Sequence, residues 1–326
     1  MPTTVPASSA QPPVPSFDAV LLIAFGGPTC MDDVRPFLAN VLRGRPVPPE
    51  RLESVVHHYE LFGGRSPLND LTFQQAAGLA AALRARGPRL PVYVGMRNWT
   101  PYLGETLAKM AADGMTHAMG VILSPLQSDA SWERYMRDVA EARRAVGDSA
   151  PRVHYTAGWH AHPRFVEALA DTLAATLATL GADRAADAAV VFTAHSIPVS
   201  MAAASPYVAQ LTETATLVAR RAGVTRWSLA YQSRSGSPRD PWLEPDILEV
   251  VREQARAGTR DVVVAPIGFI CDHVEVLYDL DIEARQVAAE VGIGFSRVPT
   301  VNAGALFIDM LADVVRKTAV GVGRPA

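Results

Sequence analysis

The chain has 326 residues, of which 49% are hydrophobic and 19% are charged, and its formal net charge is −3. This length supplies a sizeable core for one large or two medium α/β units. The weakly acidic balance, without a basic run or a zinc-finger spacing, argues against the nucleic-acid-binding classes, and we expect no nucleic-acid partner.

The first segment of the chain, residues 1–16, is rich in Pro, Ser, Thr and Ala. It has no basic stretch followed by an apolar one, so we predict a disordered leader and not a secretory signal. No stretch approaches the ~18 unbroken apolar residues of a membrane span. The two cysteines, Cys30 and Cys271, are too few for a disulfide framework, and such sparse use favours a reducing cytoplasm.

Short β-branched runs then alternate with Ala-rich amphipathic segments along the chain. The runs predict strands at Ala19–Ala24, Val92–Met96, Ala118–Leu123, Val153–Thr156, Ala188–Thr193, Trp227–Tyr231, Val262–Pro266 and Gly294–Val298. The segments between them predict helices at Leu71–Ala85, Leu103–Asp113, Trp132–Ala145, Pro163–Leu180, Ser205–Ala222 and Ile247–Gly258. Such alternation is typical of parallel sheets with helices on both faces.

The strands fall into two runs of four, which predict an α/β fold of two Rossmann-like halves. We place the halves at residues 17–180 and 181–326, and we expect the final helix to pack back on the first half. Ligands of open parallel sheets bind beyond the carboxyl ends of the strands. The loops at those positions are Phe25–Cys30, Arg97–Tyr102, Ser124–Trp132, His195–Ser200, Gln232–Pro245 and Gly268–Asp281.

The last of these loops continues into an acidic segment. Asp272–Glu283 carries five carboxylates and a histidine, and Glu275, Asp279 and Glu283 share one face at helical spacing. Like charges at this spacing repel, whereas a bound cation would reverse the sign of the penalty. From spacing alone, a solvated acidic helix face explains the pattern equally well.

A histidine ends another strand of the same half, in the segment Ala194–Pro198. A lone histidine is more often a cap or a satisfied core residue than a ligand. Here the two loops leave strands of one inferred half-sheet, so His195 and Glu275 are expected to face each other. A neutral imidazole opposite a carboxylate can take up protons, coordinate a borderline divalent metal, or do both in sequence.

The other histidines carry less weight. His160 and His162 form a His-x-His without a third ligand at suitable spacing, so we assign them structural or surface roles. His57 and His58 lie in a polar amphipathic stretch and are expected to be solvated. The sequence contains no GxGxxG, GxxxxGK, GxSxG or HExxH motif that would indicate a nucleotide, a serine hydrolase or a zincin.

Six collinear segments between Ala19 and Leu311 together resemble the ferrochelatase family. They are Leu21–Pro28, Arg43–Pro46, Tyr59 with Gly63–Leu68, Ala194–Pro198, Tyr231–Gly236 with Pro241–Pro245, and Gly268–Asp281. The resemblance implies a porphyrin cleft between the two halves and the insertion of Fe²⁺ into a porphyrin. Iron is then a substrate, and no resident cofactor is required.

Site residues follow from the same motifs. The resemblance implies that His195 and Glu275 are the catalytic pair and the metal ligands, with Asp279 and Glu283 as an outer relay for hydrated cations. It also implies a set of contacts to the porphyrin and its propionates, namely Phe25, Arg43, Arg45, Ser66 and Ser128.

Three features depart from the family pattern. Phe25 stands where some relatives carry a tyrosine that can ligate product haem iron, so an axial tyrosinate is not expected here. Asp129 stands where relatives tend to have a hydroxyl or aromatic residue, which weakens the assignment of this loop to propionate binding. Some relatives bind a [2Fe–2S] cluster, but two cysteines cannot supply four thiolates, and we expect no cluster.

The porphyrin itself is the least determined substrate. The segment Asp272–Asp279 looks like the form found in relatives that use coproporphyrin III, and the lack of a membrane segment favours this water-soluble porphyrin with its four propionates. Protoporphyrin IX remains the alternative. Two further alternatives are a cobalt or nickel chelatase and a catalytically silent haem or porphyrin carrier. We expect a cytoplasmic monomer.

Overall fold

The computed structural model describes residues 16–43, 47–235 and 240–321. Arg45 and residues 1–15 of the predicted leader lie outside these ranges. The described residues form two four-stranded parallel sheets flanked by helices, as the alternation predicted. No helix among them is long and apolar enough to cross a membrane.

The strands lie within two residues of their predicted bounds. They are β1 (Ala19–Ala24), β2 (Val92–Met96), β3 (His117–Ile122), β4 (Arg152–Tyr155), β5 (Ala189–His195), β6 (Trp227–Gln232), β7 (Asp261–Ala265) and β8 (Gly294–Arg297).

The helices of the first half are α1 (Met31–Leu42), α2 (Pro49–Glu60), α3 (Leu68–Arg86), α4 (Leu103–Ala112), α5 (Arg134–Val146) and α6 (Pro163–Ala178). Those of the second half are α7 (Ala182–Asp187), α8 (Val199–Ala203), α9 (Tyr207–Ala222), α10 (Ile247–Arg256), α11 (Val274–Val276), α12 (Arg285–Glu290) and α13 (Ala305–Gly321). Two π-helical segments, Asp129–Glu133 and Leu277–Ala284, precede α5 and α12.

The strand order is β2-β1-β3-β4 in the first sheet and β6-β5-β7-β8 in the second. In each sheet the strand that comes first in sequence therefore lies in the interior. Strand β1 has β2 on one side and β3 on the other, and β5 has β6 on one side and β7 on the other. Strand β1 is buried at all six positions because helices cover both faces of its sheet. The reversal of strand order is where open α/β sheets bind ligands, and it lies at β1 and β3 in one half and at β5 and β7 in the other.

One hydrophobic cluster spans both halves. Alternate residues of β5 divide between two cores: Val190, Phe192 and Ala194 belong to the shared cluster, whereas Ala189 and Val191 belong to a second cluster with α10 and α12. One face of β5 thus packs in the core that the two halves share, and the other face packs in the core beneath the acidic segment.

The final helix α13 packs against α3 and α6 of the first half. His162, at the start of α6, reaches Asp313 of α13 with 2.9 Å between Nε2 and Oδ2. Arg86, at the end of α3, pairs with Asp309 of the same helix. The C-terminal helix therefore belongs to the outer layer of the first half, although it follows the second half in sequence.

Candidate functional site

Two loops at the carboxyl edge of the second sheet bring His195 and Glu275 together. Strand β5 ends at His195, and its neighbour β7 leads into the loop that precedes Glu275. This loop lies against the end of β5, since the N–H of Gly268 donates to the carbonyl of Thr193 at 3.0 Å. A Cβ at position 268 would overlap Ala194, so the close approach requires glycine.

The Nε2 atom of the His195 ring faces the carboxylate of Glu275. Nδ1 lies 2.5 Å from the carbonyl oxygen of Ser196, and because a carbonyl only accepts, Nδ1 carries the proton. In the neutral ring Nε2 is then the nitrogen that bears the lone pair, and it lies 3.6 Å from Oε1 of Glu275, which is too long for a hydrogen bond. A ring lone pair and a carboxylate oxygen therefore face the same space, where they can accept a proton or a cation.

Both side chains are reachable by a ligand, with 31% of His195 and 43% of Glu275 exposed. The backbone of His195 is fixed from the interior by buried Tyr207, whose hydroxyl donates to the His195 carbonyl at 2.9 Å. Burial raises the pKa of Tyr207, so this hydroxyl keeps its proton. The imidazole is thus accessible while the strand end that carries it is held in place.

His273, to which the sequence analysis assigned no role, begins the short helix that carries Glu275. Its Nδ1 accepts from the N–H of Val276 at 3.2 Å and so caps α11. Burial lowers the pKa of His273, which leaves the ring neutral near pH 7. Helix N-caps are usually Ser, Thr, Asp or Asn, so a histidine cap gave no signal in the sequence.

Asp279 and Glu283 lie in the π-helix Leu277–Ala284 and not in the α-helix that their spacing predicted. Hydrogen bonds in a π-helix close at i+5 in place of i+4, so residues four apart still lie about one turn from each other. The acidic residues therefore follow Glu275 on successive turns. Such π-helical segments are frequent at functional sites.

Asp279 lies beside the end of strand β6. It accepts from Nε2 of Gln232 at 3.2 Å and from the hydroxyl of Ser233. Gln232 is itself fixed, because its Oε1 accepts from the hydroxyl of Thr193 at 2.9 Å. Burial and then the negative charge of Glu275 raise the pKa of Asp279 to about 8. At neutral pH this carboxyl holds a proton that an arriving cation would displace.

Glu283 is the outermost of the three acids. Burial and then the charge of Asp246 raise its pKa, while a hydrogen bond from Tyr278 partly offsets the shift. Asp246 caps α10, where Oδ1 accepts from the N–H of Leu248 at 2.8 Å, and burial raises its pKa as well. The sequence did not indicate that Asp246 lies beside Glu283, because an aspartate before an apolar helix is fully explained as an N-cap.

The first half covers part of this acidic segment. The ring of His58 stacks on Tyr278 with 3.4 Å between the ring centroids, and burial and then Arg51 lower the pKa of His58 to about 4. Arg51 also donates to the carbonyl of Arg234 at 3.3 Å. The prediction that both histidines of this stretch are solvated is therefore wrong for His58, and only His57 is exposed. The amphipathic pattern of one helix could not show what the other half places over it.

Three arginines of the first half surround one carboxylate. Asp138 accepts from Arg43 at 2.9 Å, from Arg97 at 2.5 Å and from Arg134 at 3.2 Å. The guanidinium of Arg97 also lies over the ring of Phe25, 5.6 Å from its centroid, and Phe25 is itself 37% exposed. The structure thus brings two predicted porphyrin contacts, Arg43 and Phe25, to one cluster that carries two uncompensated positive charges.

The predicted serine contacts lie deeper. Ser66 and Ser128 are 4% and 1% exposed. The hydroxyl of Ser66 accepts from a main-chain N–H two residues on, and that of Ser128 lies 3.2 Å from the hydroxyl of Ser131. Asp129 pairs at the surface with Arg137 at 2.7 Å. In this arrangement neither serine presents its hydroxyl to solvent, and their contact with a porphyrin stays a prediction.

His160 and His162 do not share a ligand. Nε2 of His160 is 2.9 Å from Glu213, whereas His162 contacts Asp313 and caps α6. Throughout the part of the chain that the structure describes, no three His, Cys, Asp or Glu side chains form a ready-made metal site. His195 and Glu275 alone would supply an ion at this position with two protein donors, so that its remaining ligands would be water or atoms from outside the protein.

Comparison with known proteins identifies close relatives. A model of the ferrochelatase family matches residues 17–319. Ferrochelatase from Rhodopirellula baltica is 43% identical over 305 residues, which cover 93% of this chain and 87% of that protein. Coproporphyrin III ferrochelatase from Mycolicibacterium smegmatis is 43% identical over 310 residues, which cover 94% of this chain and 91% of that protein.

Solved structures share the architecture at low identity. The sirohydrochlorin chelatase SirB from Bacillus subtilis subspecies spizizenii, in complex with cobalt, matches with a TM-score of 0.55 and 13% identity, covering 93% of this chain and 95% of its own. SirB from Bacillus subtilis with Fe³⁺ matches with a TM-score of 0.58 and 13% identity, covering 94% of this chain and 96% of its own. At this identity the likeness shows the fold alone.

Proposed function

The chain belongs to the ferrochelatase family of metal chelatases, and from this premise we propose that it inserts Fe²⁺ into coproporphyrin III to give coproheme III. The observation that carries the metal chemistry is the His195–Glu275 pair, with its ring lone pair 3.6 Å from a carboxylate oxygen. Both groups are exposed at the carboxyl edge of the second sheet, where ligands of this fold class bind.

Insertion of a divalent ion releases the two pyrrole N–H protons of the porphyrin. We propose that Nε2 of His195 and the carboxylate of Glu275 first share the cation and strip part of its water. When the ion passes to the ring nitrogens, the two freed lone pairs accept the two protons. Neutral His195, ionised Glu275 and the divalent ion carry a net charge of +1 before the transfer. Protonated His195 and protonated Glu275 also carry +1 after it, so the net charge of the site does not change.

Asp279 and Glu283 extend this pair outward. The pKa of Asp279 is raised to about 8, so this carboxyl can give up a proton when a cation arrives, and the pKa of Glu283 is raised as well. Oxygen ligands of this type hold a hydrated divalent ion weakly, as a relay requires. We therefore assign them the delivery of iron and not the proton transfer.

The porphyrin assignment rests on charge. Coproporphyrin III carries four propionates and protoporphyrin IX carries two, so the first needs more cationic partners. The cluster of Arg43, Arg97 and Arg134 around Asp138 provides two net positive charges beside the exposed ring of Phe25. A charge-assisted hydrogen bond to a propionate contributes roughly 1.5–3 kcal/mol. The names of relatives at 43% identity support the same substrate.

Parallel anaerobic assays with the two porphyrins and Fe²⁺ test this proposal. We expect kcat/KM for coproporphyrin III to exceed that for protoporphyrin IX at least about tenfold, which corresponds to ~1.4 kcal/mol in the barrier. Equal or reversed preference would overturn the substrate assignment, and porphyrin binding without turnover of either would indicate a carrier. Detergent is held constant in both arms, because protoporphyrin IX partitions into membranes.

We further propose that the enzyme acts as a cytoplasmic monomer without a resident cofactor or iron–sulfur cluster. Light scattering coupled to size-exclusion chromatography measures the oligomeric state, and metal and sulfide analysis of the purified protein measures the cluster content. Fractionation of the producing cells measures the location. A dimer, stoichiometric sulfide or a membrane-bound pool would each contradict the corresponding part.

A further inference from the structure

One arginine outside the predicted site joins two parts of the acidic segment. Arg297 ends strand β8, and 13% of its side chain is exposed. Its Nη1 donates to Oδ1 of Asp272 at 2.8 Å, and its Nε donates to Oδ2 of Asp281 at 2.8 Å. A single planar guanidinium therefore bridges two carboxylates that lie nine positions apart in the sequence.

These two carboxylates flank the proposed metal ligands. Asp272 directly precedes the cap residue His273, three positions before Glu275. Asp281 lies within the π-helix, two positions after Asp279. The bridge thus fixes the segment both before Glu275 and after Asp279.

The bridge is anchored in the first half of the molecule. Two hydrogen bonds join Asp272 and Asn302. The backbone N–H of Asp272 donates to Oδ1 of Asn302 at 2.9 Å, and Nδ2 of Asn302 donates to Oδ2 of Asp272 at 2.8 Å. The carbonyl of Asn302 accepts from Nε2 of Gln75 at 2.8 Å. Gln75 is fully buried in α3. A continuous polar path therefore runs from the first half, through Asp272 and Arg297, to the π-helix.

The segment needs such a support. A π-helix is rarer and less favourable than an α-helix, so the segment Leu277–Ala284 depends on its contacts with the rest of the fold. Return of the segment to α-helical hydrogen bonding would rotate Asp279 relative to Glu275. The guanidinium of Arg297 places its positive charge beside Asp272 and Asp281, and its described contacts do not include the proposed metal-binding carboxylates.

We propose that Arg297 is a positioning residue that, by bridging Asp272 and Asp281, holds the acidic segment in the register where Glu275 faces His195. This inference rests on the proposed function, because it assigns the segment to metal delivery. The ion pairs described for Arg297 are with Asp272 and Asp281 and not with Glu275, so we assign it an effect through the two aspartates.

The chain offers a matched control for this bridge. Arg285 also contacts Asp281, with 3.3 Å between Nη2 and Oδ1, but its side chain is 53% exposed and it reaches no second carboxylate of the segment in the described contacts. Arg297→Lys keeps the charge and loses the two-armed geometry, whereas Arg285→Gln removes the other guanidinium from the same aspartate. Asp281→Asn breaks the bridge from the π-helix side and serves if Arg297→Lys does not fold.

Steady-state assays with Fe²⁺ and coproporphyrin III give the first readout. We expect Arg297→Lys and Asp281→Asn to raise the KM for metal about tenfold or more, with a smaller loss in kcat and a porphyrin Kd within about twofold of wild type. Arg285→Gln should leave the KM for metal within about twofold. A purely structural role would reduce the yield of folded enzyme and leave its KM for metal unchanged.

Amide hydrogen exchange over residues 274–284 gives a second readout that does not depend on activity. Exchange there should accelerate at least about tenfold in Arg297→Lys, and not in Arg285→Gln. Unchanged exchange, or an unchanged KM for metal in both bridge variants, would overturn the positioning role. Glu275→Gln in the same assays separates the two proposals: full activity in that variant would refute the metal site, whereas its loss with normal Arg297→Lys kinetics would refute the bridge alone.

Discussion

Two carboxylates, Asp138 in the first half and Asp279 in the second, have opposite surroundings. Asp138 in the first half accepts from three arginines, and although burial opposes the shift, the hydrogen bond and charge of Arg97 with the charges of its neighbours lower its pKa. The hydrogen bonds described for Asp279 come from neutral Gln232 and Ser233, and burial with the charge of Glu275 raises its pKa to about 8.

The difference shows that one fold can carry a cationic cluster in its first half and an acidic segment in its second. In the first half the positive charges exceed the negative ones, so the cluster is ready for an anion and is stable without one. In the second half the raised pKa values of Asp279 and Glu283 favour their protonated forms, and a bound cation would favour the ionised forms. Under the proposed function, the cationic cluster would serve the anionic macrocycle and the acidic segment would serve the divalent ion.

The largest effect is expected at the innermost pair of the second half. His195→Ala and Glu275→Gln should each lower turnover on the order of 10²–10⁴-fold, since each removes a positioned acid–base group, while coproporphyrin III still binds. Because the two groups act as a unit, the double variant should be little slower than the slower single variant. Anaerobic turnover and porphyrin fluorescence titrations measure the two quantities.

A second histidine–glutamate pair provides the control. His160 and Glu213 lie 2.9 Å apart, and neither contacts the acidic segment in the described contacts. His160→Ala and Glu213→Gln should leave turnover within about twofold. Single variants of His195 or Glu275 that retain more than roughly a third of the wild-type rate would refute the assignment of the pair.

The second prediction concerns the stability of the first half. Asp138→Asn leaves three arginines without their common partner, so we expect it to lower the free energy of unfolding by about 3–5 kcal/mol at pH 7. Because the pKa of Asp138 is lowered in the fold, its contribution is present above the unfolded pKa of ~3.9 and is lost as the pH falls below it. Urea unfolding at pH 7 and near pH 3 measures the difference.

Asp129→Asn is the matched control for this loss. It also removes a carboxylate from an arginine, but Asp129 and Arg137 are 59% and 49% exposed, so the change should cost no more than ~1 kcal/mol. A similar cost for the two variants, or a deficit in Asp138→Asn that persists unchanged at acid pH, would show that the arginine cluster does not depend on its carboxylate.

The third and smallest effect concerns the outer acids. The KM for metal should fall as the pH rises through about 8, where Asp279 ionises. Asp279→Asn with Glu283→Gln should remove this dependence and raise the KM for metal about tenfold, or ~1.4 kcal/mol, with less effect on kcat. A solvated acidic face predicts almost no kinetic change. Metal-dependent kinetics from pH 6 to 9 decide between them.

The same substitution changes stability with the opposite sign from Asp138. The folded pKa of Asp279 is raised, so its stabilising protonated form is present at low pH and is lost as the pH rises through about 8. Asp279→Asn should therefore gain stability relative to wild type between pH 5 and pH 9. A relative loss of stability over this range would mean that Asp279 is ionised and paired in the folded protein.

Much of the fold was predictable because its strands are buried. Runs such as Ala19–Ala24 and Val262–Ala265 are apolar at every position, and β1 and β2 begin and end as predicted. Helices α1 and α2 were not predicted, since Pro36 interrupts the first and the second carries few apolar residues. Their faces are completed by contacts with Trp99 and with the other half, which periodicity does not record.

Sequence patterns alone predicted the alternation of strands and helices, and the collinear motifs indicated the family and the pair His195 and Glu275. These features depend on local patterns and on residues next to strand ends. The tertiary structure decided the π-helical register of Asp279, the stacking of His58 on Tyr278, the arginines around Asp138 and the bridge made by Arg297. The last three join residues that are distant in the chain, and all four depend on burial and on neighbouring charges, which are set only when the chain is folded.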